Sequence, residues 1–329
     1  MQDWCSARIF VALLASFSLA SCGGSSSDTV AGGGIGGTGF VATGTITAFG
    51  SIVVNDVEFD TTNVDVIIEG ERTGTGNQAV LDNLDVGQAV VVEGIENDSG
   101  LSGTATRVRF TPSVKGPVTE IADIDIHTRR IVVLGQTIIA DKKTVFRNAT
   151  IGDLILGDLI EVSGLVEVAG AIRATHVKKM PDSFNPLTEV EVKGIIRDLD
   201  STAKTFKLNG LVVDYGLVEI GNLPEGKPKS NQLVHVKGKV GTGVTLIAAE
   251  IELADETRIT SADRVDLEGF ITDFTSISDF MVSYMQVKVG ADTQFRGGPR
   301  EELAAGARIR VRGRLVDGIV EAQQIFFRK

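Results

Sequence analysis

Residues 44–61 read GTITAFGSIVVNDVEFDT. Within it, Gly44-Thr45-Ile46-Thr47-Ala48-Phe49 alternates apolar and polar side chains, and Ile52-Val53-Val54 is a β-branched run. Turn-forming residues punctuate both, which is the pattern of short β-strands whose successive side chains face opposite ways. Gly44 closes the run Val41-Ala42-Thr43-Gly44, and the same landmark returns in Val114-Lys115-Gly116, Val192-Lys193-Gly194 and Leu267-Glu268-Gly269, at intervals of 72, 78 and 75 residues. A second landmark, Val91-Val92-Glu93-Gly94, returns as Glu161-Val162-Ser163-Gly164, His235-Val236-Lys237-Gly238 and Arg310-Val311-Arg312-Gly313. One order of features repeated at a near-constant spacing marks a tandem array.

Each unit is expected to hold five strands. After the glycine-led strand and its hairpin partner, a third strand is expected near Val66, Val145, Val218 and Thr293-Gln294-Phe295. A fourth carries the second glycine, and a fifth opens with Ala105, Ala174, Ala248 or Ala322. Seven residues before the second glycine stand Gly87, Gly157, Asn231 and Gly306. Three glycines and an asparagine at one repeat position predict a left-handed backbone there. Glycines inside strands, such as Gly94 and Gly164, predict bulges or barrel corners. The expected fold class is therefore all-β: four tandem small five-stranded OB-like barrels or open β-sandwiches, each with a short helical turn between strands three and four. The expected units are 40–111, 112–180, 187–256 and 264–329.

The chain begins MQDWCSARIFVALLASFSLASCGGSSSD. The apolar run from Ile9 to Ala20 is too short for a membrane-spanning helix, which needs about 20 residues, and fits the core of a secretory signal. Leu19-Ala20-Ser21-Cys22 resembles the bacterial lipobox, in which the cysteine thiol takes up a diacylglyceryl group and becomes the new amino terminus. The reading is a lipoprotein signal peptide over 1–21, lipidation at Cys22, and a Gly/Ser-rich tether over 22–39. The other cysteine, Cys5, falls in the discarded segment, so the remaining chain calls for no disulfide. Gly23 after the cysteine favours the outer membrane by analogy with known lipoproteins. The tether also contains Gly34-Ile35-Gly36-Gly37-Thr38-Gly39, but a dinucleotide fingerprint needs a strand before it and a helix after it.

The pattern GTITAFGSIVVNDVEFDT, followed by Leu84-Asp85-Val86-Gly87-Gln88 and an Ala-opening strand, resembles the bacterial domain-of-unknown-function family numbered 5666. The resemblance covers residues 40–329, specific in the first unit and looser afterwards. It implies architecture and an envelope address, since such proteins are commonly lipoproteins, and no activity.

The net charge of −11 disfavours nucleic acid, whose binding depends on Lys and Arg neutralising phosphates. The charge is uneven: residues 41–111 carry three basic and eleven acidic side chains, residues 265–329 nine of each. Arg308, Arg310, Arg312 and Arg314 alternate with Ile309, Val311 and Gly313, placing the arginines on one strand face as a candidate anion-binding stripe. The competing reading is a solvated face neutralised by cross-strand acids. No metal site is expected, because His127, His176 and His235 lie on separate strands or turns without cysteine partners. The paired aspartates at hairpin tips, such as Asp123 and Asp125, lack the spacing of a calcium loop and suit turns. No catalytic motif and no cofactor site is read. The expectation is a non-enzymatic cell-envelope lipoprotein held to the membrane through Cys22, an interaction or spacer module meeting an envelope protein or acidic glycan. The alternative is an oligosaccharide- or small-ligand-binding protein of the periplasm or outer membrane.

Overall fold

The computed structural model describes residues 39–97, 99–218 and 223–328. The segment expected to be a signal peptide, Cys22, and nearly all of the expected tether lie outside these residues. Residues 40–110 form β1 (Phe40–Ala48), β2 (Ile52–Val54), β3 (Val57–Asp60), β4 (Asp65–Ile68), β5 (Glu71–Thr75), helix α1 (Gly76–Asn83), β6 (Ala89–Glu96) and β7 (Ser102–Phe110). β1 pairs with β2, β2 with β3, β3 with β7, β7 with β6, and β6 returns to β1. The circuit closes on itself, so the protein is all-β and its unit is a five-stranded barrel rather than an open sandwich.

The same circuit closes further along the chain. In 114–179 it runs through β8 (Val114–Asp125), β9 (Thr128–Val133), β10 (Gln136–Ala140), β12 (Leu159–Val166) and β13 (Ile172–Lys179), with β11 (Val145–Arg147) added beside β13. In 190–253 the first strand is broken at Ile196 into β14 (Val190–Ile195) and β15 (Arg197–Asp200). It is followed by β16 (Thr205–Leu208), β17 (Leu211–Asp214), β18 (Leu233–Val240) and β19 (Thr245–Leu253). In 262–327 the strands are β20 (Ala262–Ser276), β21 (Asp279–Val282), β22 (Met285–Arg296), β23 (Arg308–Val316) and β24 (Ile319–Phe327).

The third strand differs from expectation. Val66 and Val145 lie on β4 and β11, which continue alongside β7 and β13 after a break, while β3 and β10 close the circuit before them. The reason is the turn. Asn55-Asp56 and Leu134-Gly135 both take positive φ, and a two-residue turn of that kind returns the chain directly into pairing. Val218 is not in a strand, whereas Thr293-Gln294-Phe295 lies within β22. Helical structure before the fourth strand is uneven: α1 in 40–110, single 3-10 turns at Pro224–Gly226 and Arg300–Glu302, and a non-helical turn around Thr150 to Asp153.

Two sequence features become geometry. Gly87, Gly157, Asn231 and Gly306 all have positive φ, from 67° to 94°. Each donates its N–H to a first-strand carbonyl, on Ile46, Val118, Ile196 and Ile271 respectively, at 2.8–2.9 Å. The N–H of each of those residues returns a 2.9 Å bond to the carbonyl that follows the left-handed residue. This reciprocal pair pins the loop to the barrel mouth. The second-landmark glycines sit at register shifts between the fourth and fifth strands. A Cβ on Gly94, Gly164, Gly238 or Gly313 would stand 2.0–2.3 Å from a carbonyl oxygen of the neighbouring strand, so no side chain fits where the barrel turns its corner.

The barrels are joined by further strand pairing, giving two twelve-stranded sheets. β1 lies parallel to β20, with Phe40 to Thr43 against Arg264 to Leu267. β14 lies antiparallel to β8 through Glu191 and Val192. The core of 114–253 is one continuous apolar cluster, and Val41 and Val91 of 40–110 pack into the cluster of 262–327. Among the described residues no helix is long and apolar enough to cross a membrane.

Candidate functional site

Along a barrel strand, alternation puts one set of residues inside and the other outside. In this chain the outside set near the landmark glycines is also buried. Asp266 is 0% exposed, Glu191 and His235 are each 2% exposed, and Arg310 is 7% exposed. These charged groups lie where one barrel covers another. Burying a charge without partners costs several kcal/mol, so each one is held by opposite charge and hydrogen bonds.

At the β1–β20 seam, the Arg310 guanidinium donates to both oxygens of Asp266, at 2.7 and 2.5 Å, and to Asp56 at 3.2 Å. It also lies over the Phe326 ring, 5.6 Å from its centre. Burial penalises the cation, but the bonds and charge of Asp266 outweigh that and raise the Arg310 pKa. Asn55 Nδ2 donates to Asp266 and to the Thr43 carbonyl, each at 3.1 Å. Arg312 reaches Glu96 and stands 3.2 Å from Asp266. Arg308 donates to Glu268 at 2.7 Å. Three of the four arginines of the stripe are thus engaged with carboxylates of this chain, and Arg314 alone is exposed.

At the β8–β14 seam the chemistry includes histidine. His235 Nε2 lies 2.9 Å from Glu191, and Lys115 donates to the same carboxylate at 3.0 Å. Burial works against the His235 imidazolium, but Glu191, with Glu252 3.7 Å from Nδ1, outweighs it and raises the pKa. Burial pushes the Glu69 carboxyl up, and the charge of Glu191 adds to it. Lys237 stands 3.7 Å from Glu69, tying the 40–110 barrel to this cluster. His176 is buried 3.6 Å from Asp85, and desolvation lowers its pKa. His127 sits at an exposed hairpin tip, where Asp125 accepts its backbone N–H at 2.7 Å. Asp123 at that tip pairs with Arg129 at 2.7 Å. Among the described residues no group of three or more His, Cys, Asp or Glu is placed to hold a metal ion.

The barrels also leave a cleft of about 750 Å³ where 40–110, 114–179 and 262–327 meet. Its walls are the barrel mouths already described, with Thr45 to Thr47, Gly87 and Gly306 contributing. The reciprocal hydrogen bonds at the left-handed residues therefore fix two of its walls. The size falls in the usual range of small-ligand sites. The cleft was not legible beforehand, since it lies between units and no single unit's pattern encodes it.

A model of the family described as domain of unknown function (DUF5666) matches residues 39–109, 115–178 and 268–325. No curated protein matches the chain. Of solved structures, drosophila Unr CSD456 is similar at 12% identity, covering 66% of this chain and 98% of that one, with a TM-score of 0.21. A likeness that slight carries nothing about ligand or role. The three family matches together take in more than half of the sequence, spread from the first barrel to the last, and the chain belongs to the DUF5666 family.

Proposed function

We propose that the protein is a non-enzymatic cell-envelope lipoprotein, anchored through Cys22, whose barrels form one binding and interaction module. Four units are inferred, since the 190–253 stretch repeats the pairing circuit, the bulge at Gly238 and the left-handed Asn231 of the stretches that the family matches. The observation that carries the reading is the covering of charged barrel exteriors by neighbouring barrels. A spacer made of independent beads has no use for Arg310, Asp266, Glu191 and His235 beneath its surface. Charges held this way fix the barrels against one another, as a platform with clefts between its parts requires. Buried His235 is bound to Glu191 in a seam, which favours a structural role over acid–base chemistry.

Address and anchor rest on the sequence from the short apolar run to Cys22 and the glycine-rich tether that follows. Acyl chains contribute roughly 0.8 kcal/mol per buried methylene, and an outer-membrane location follows the residue after the cysteine. Two measurements test the proposal. Cys22→Ser is expected to abolish incorporation of a labelled fatty acid and to release the protein from the membrane fraction. A photo-reactive residue at the exposed Arg314 is expected to capture one dominant envelope partner in the native host. Continued membrane attachment of the serine variant contradicts the anchor, and absence of any specific capture contradicts the interaction module.

A further inference from the structure

We infer that the cleft between the 40–110, 114–179 and 262–327 barrels is a binding site for a neutral, polyhydroxylated ligand, an oligosaccharide of a few rings. The inference rests on the reading of the chain as a binding module and names its ligand class. Its first support is the kind of charge on the walls. Arg173 donates to Glu167 at 2.8 Å and to Asp141 at 3.2 Å. Arg308 is paired with Glu268 at 2.7 Å, and Arg328 with Asp56 at 2.5 Å. Each barrel supplies a part of these pairs, and all of them line the one cleft.

A guanidinium beside a carboxylate presents donors next to acceptors. A hydroxyl is both donor and acceptor, so two neighbouring sugar hydroxyls can accept from the arginine and donate to the acid together. Charged ligands fit less well. With Lys143 included, the lining holds as many acidic as basic side chains, so it offers no net field to an anion or a cation. An anionic ligand would have to displace carboxylates already bonded to the arginines.

The second support, independent of the ion pairs, is Phe270, a half-buried aromatic ring on the wall, which can cover the C–H face of a sugar while the ion pairs take its hydroxyls. An apolar patch among a few fixed polar groups is the ordinary makeup of a small-ligand site.

The test is calorimetric titration of the full-length chain in detergent. The neutral probes are maltotriose, mannotriose and chitotriose, set against trigalacturonate and inorganic phosphate. Saturable binding of a neutral trisaccharide is expected, weakened at least about tenfold by Phe270→Ala, unchanged by Arg314→Met, and accompanied by slowed amide exchange at residues 45–47 and 173–175. The amide-exchange footprint on the unaltered protein serves if Phe270→Ala fails to fold. Binding of the anions alone, of no neutral probe, or without that footprint overturns the assignment. Capture of a protein partner at position 314 alongside any of those results overturns the ligand class and leaves the interaction module standing.

Discussion

The β1–β20 seam and the β8–β14 seam cover equivalent barrel exteriors with different chemistry. The first joins the two ends of the array, is parallel, and relies on guanidinium–carboxylate contacts centred on Arg310 and Asp266. The second joins chain neighbours, is antiparallel over only two residue pairs, and relies on a Glu191–His235–Lys115 cluster above a continuous apolar core. Between the same two barrels, the β9–β10 and β16–β17 turns approach so closely that a Cβ on Gly135 would lie 2.8 Å from the Gly210 backbone. A seam between distant ends has no short linker to hold it, so it needs strong, directional contacts. A seam between adjacent barrels is held near by the chain, and a shared core supplies much of its stability. Arginine stays charged throughout the range in which histidine titrates, so the two seams should respond differently to pH.

The largest effect is expected where that difference is removed from the first seam. Arg310→Met leaves Asp266 buried without its bidentate partner, and urea unfolding should show a loss of about 3 kcal/mol. A loss below about 1 kcal/mol would mean that the guanidinium contacts do not hold the seam. Next come substitutions that should not distinguish the two halves. Gly238→Ala and Gly313→Ala each drive a Cβ against a carbonyl, 2.1 Å and 2.0 Å away, inside a barrel rather than across a seam. Each should cost about 1–3 kcal/mol, with the two similar to one another. A large disparity would show that one bulge is relaxed by its seam.

The smallest and most selective effect is the pH dependence of the second seam. The His235 pKa is raised above its unfolded value, near 6.5, so its contribution is complete below about 6.5 and is lost as pH rises through the folded value. Glu69, raised by burial, acts in the same sense at lower pH, its penalty growing as it ionises. His176, whose pKa burial lowers, acts in the opposite sense and has given its full effect by about pH 7, so the urea midpoint is expected to fall as pH is taken upward from about 7, and His235→Gln should flatten that fall. An identical pH profile in the glutamine variant would remove His235 from the account.

The barrel itself was legible in the sequence because its devices are local. Gly94 and its counterparts marked the bulges, and Gly87, Gly157, Asn231 and Gly306 marked the left-handed pins, each from residue type and spacing alone. The third strand is only partly legible, since Val66 and Val145 lie on continuations of the pairing that Val57–Asp60 and Gln136–Ala140 begin. The short stretch after Asn55-Asp56 lacked the length to stand out. The seams were not legible. Arg310, Arg312, Lys115 and His235 alternate with apolar residues as any water-facing side chain would, because alternation separates the inside of a barrel from its outside and is silent on what lies beyond. A weak signal was present: opposite charges stand at matching landmark positions, Asp266 three residues before Gly269 and Arg310 three before Gly313. The cleft had no signal, being made by the seams.

The central claim is that barrel exteriors are joined into one body, and residue-resolved hydrogen exchange on the full-length chain tests it most directly. β1 is expected to be protected on both sides, by β6 and by β20, so that the amides of Phe40 to Thr43 and Arg264 to Leu267 exchange as slowly as the barrel cores. Rapid exchange of the amides shared by β1 and β20, at the rate of a free strand edge while both barrels stay protected, would contradict it.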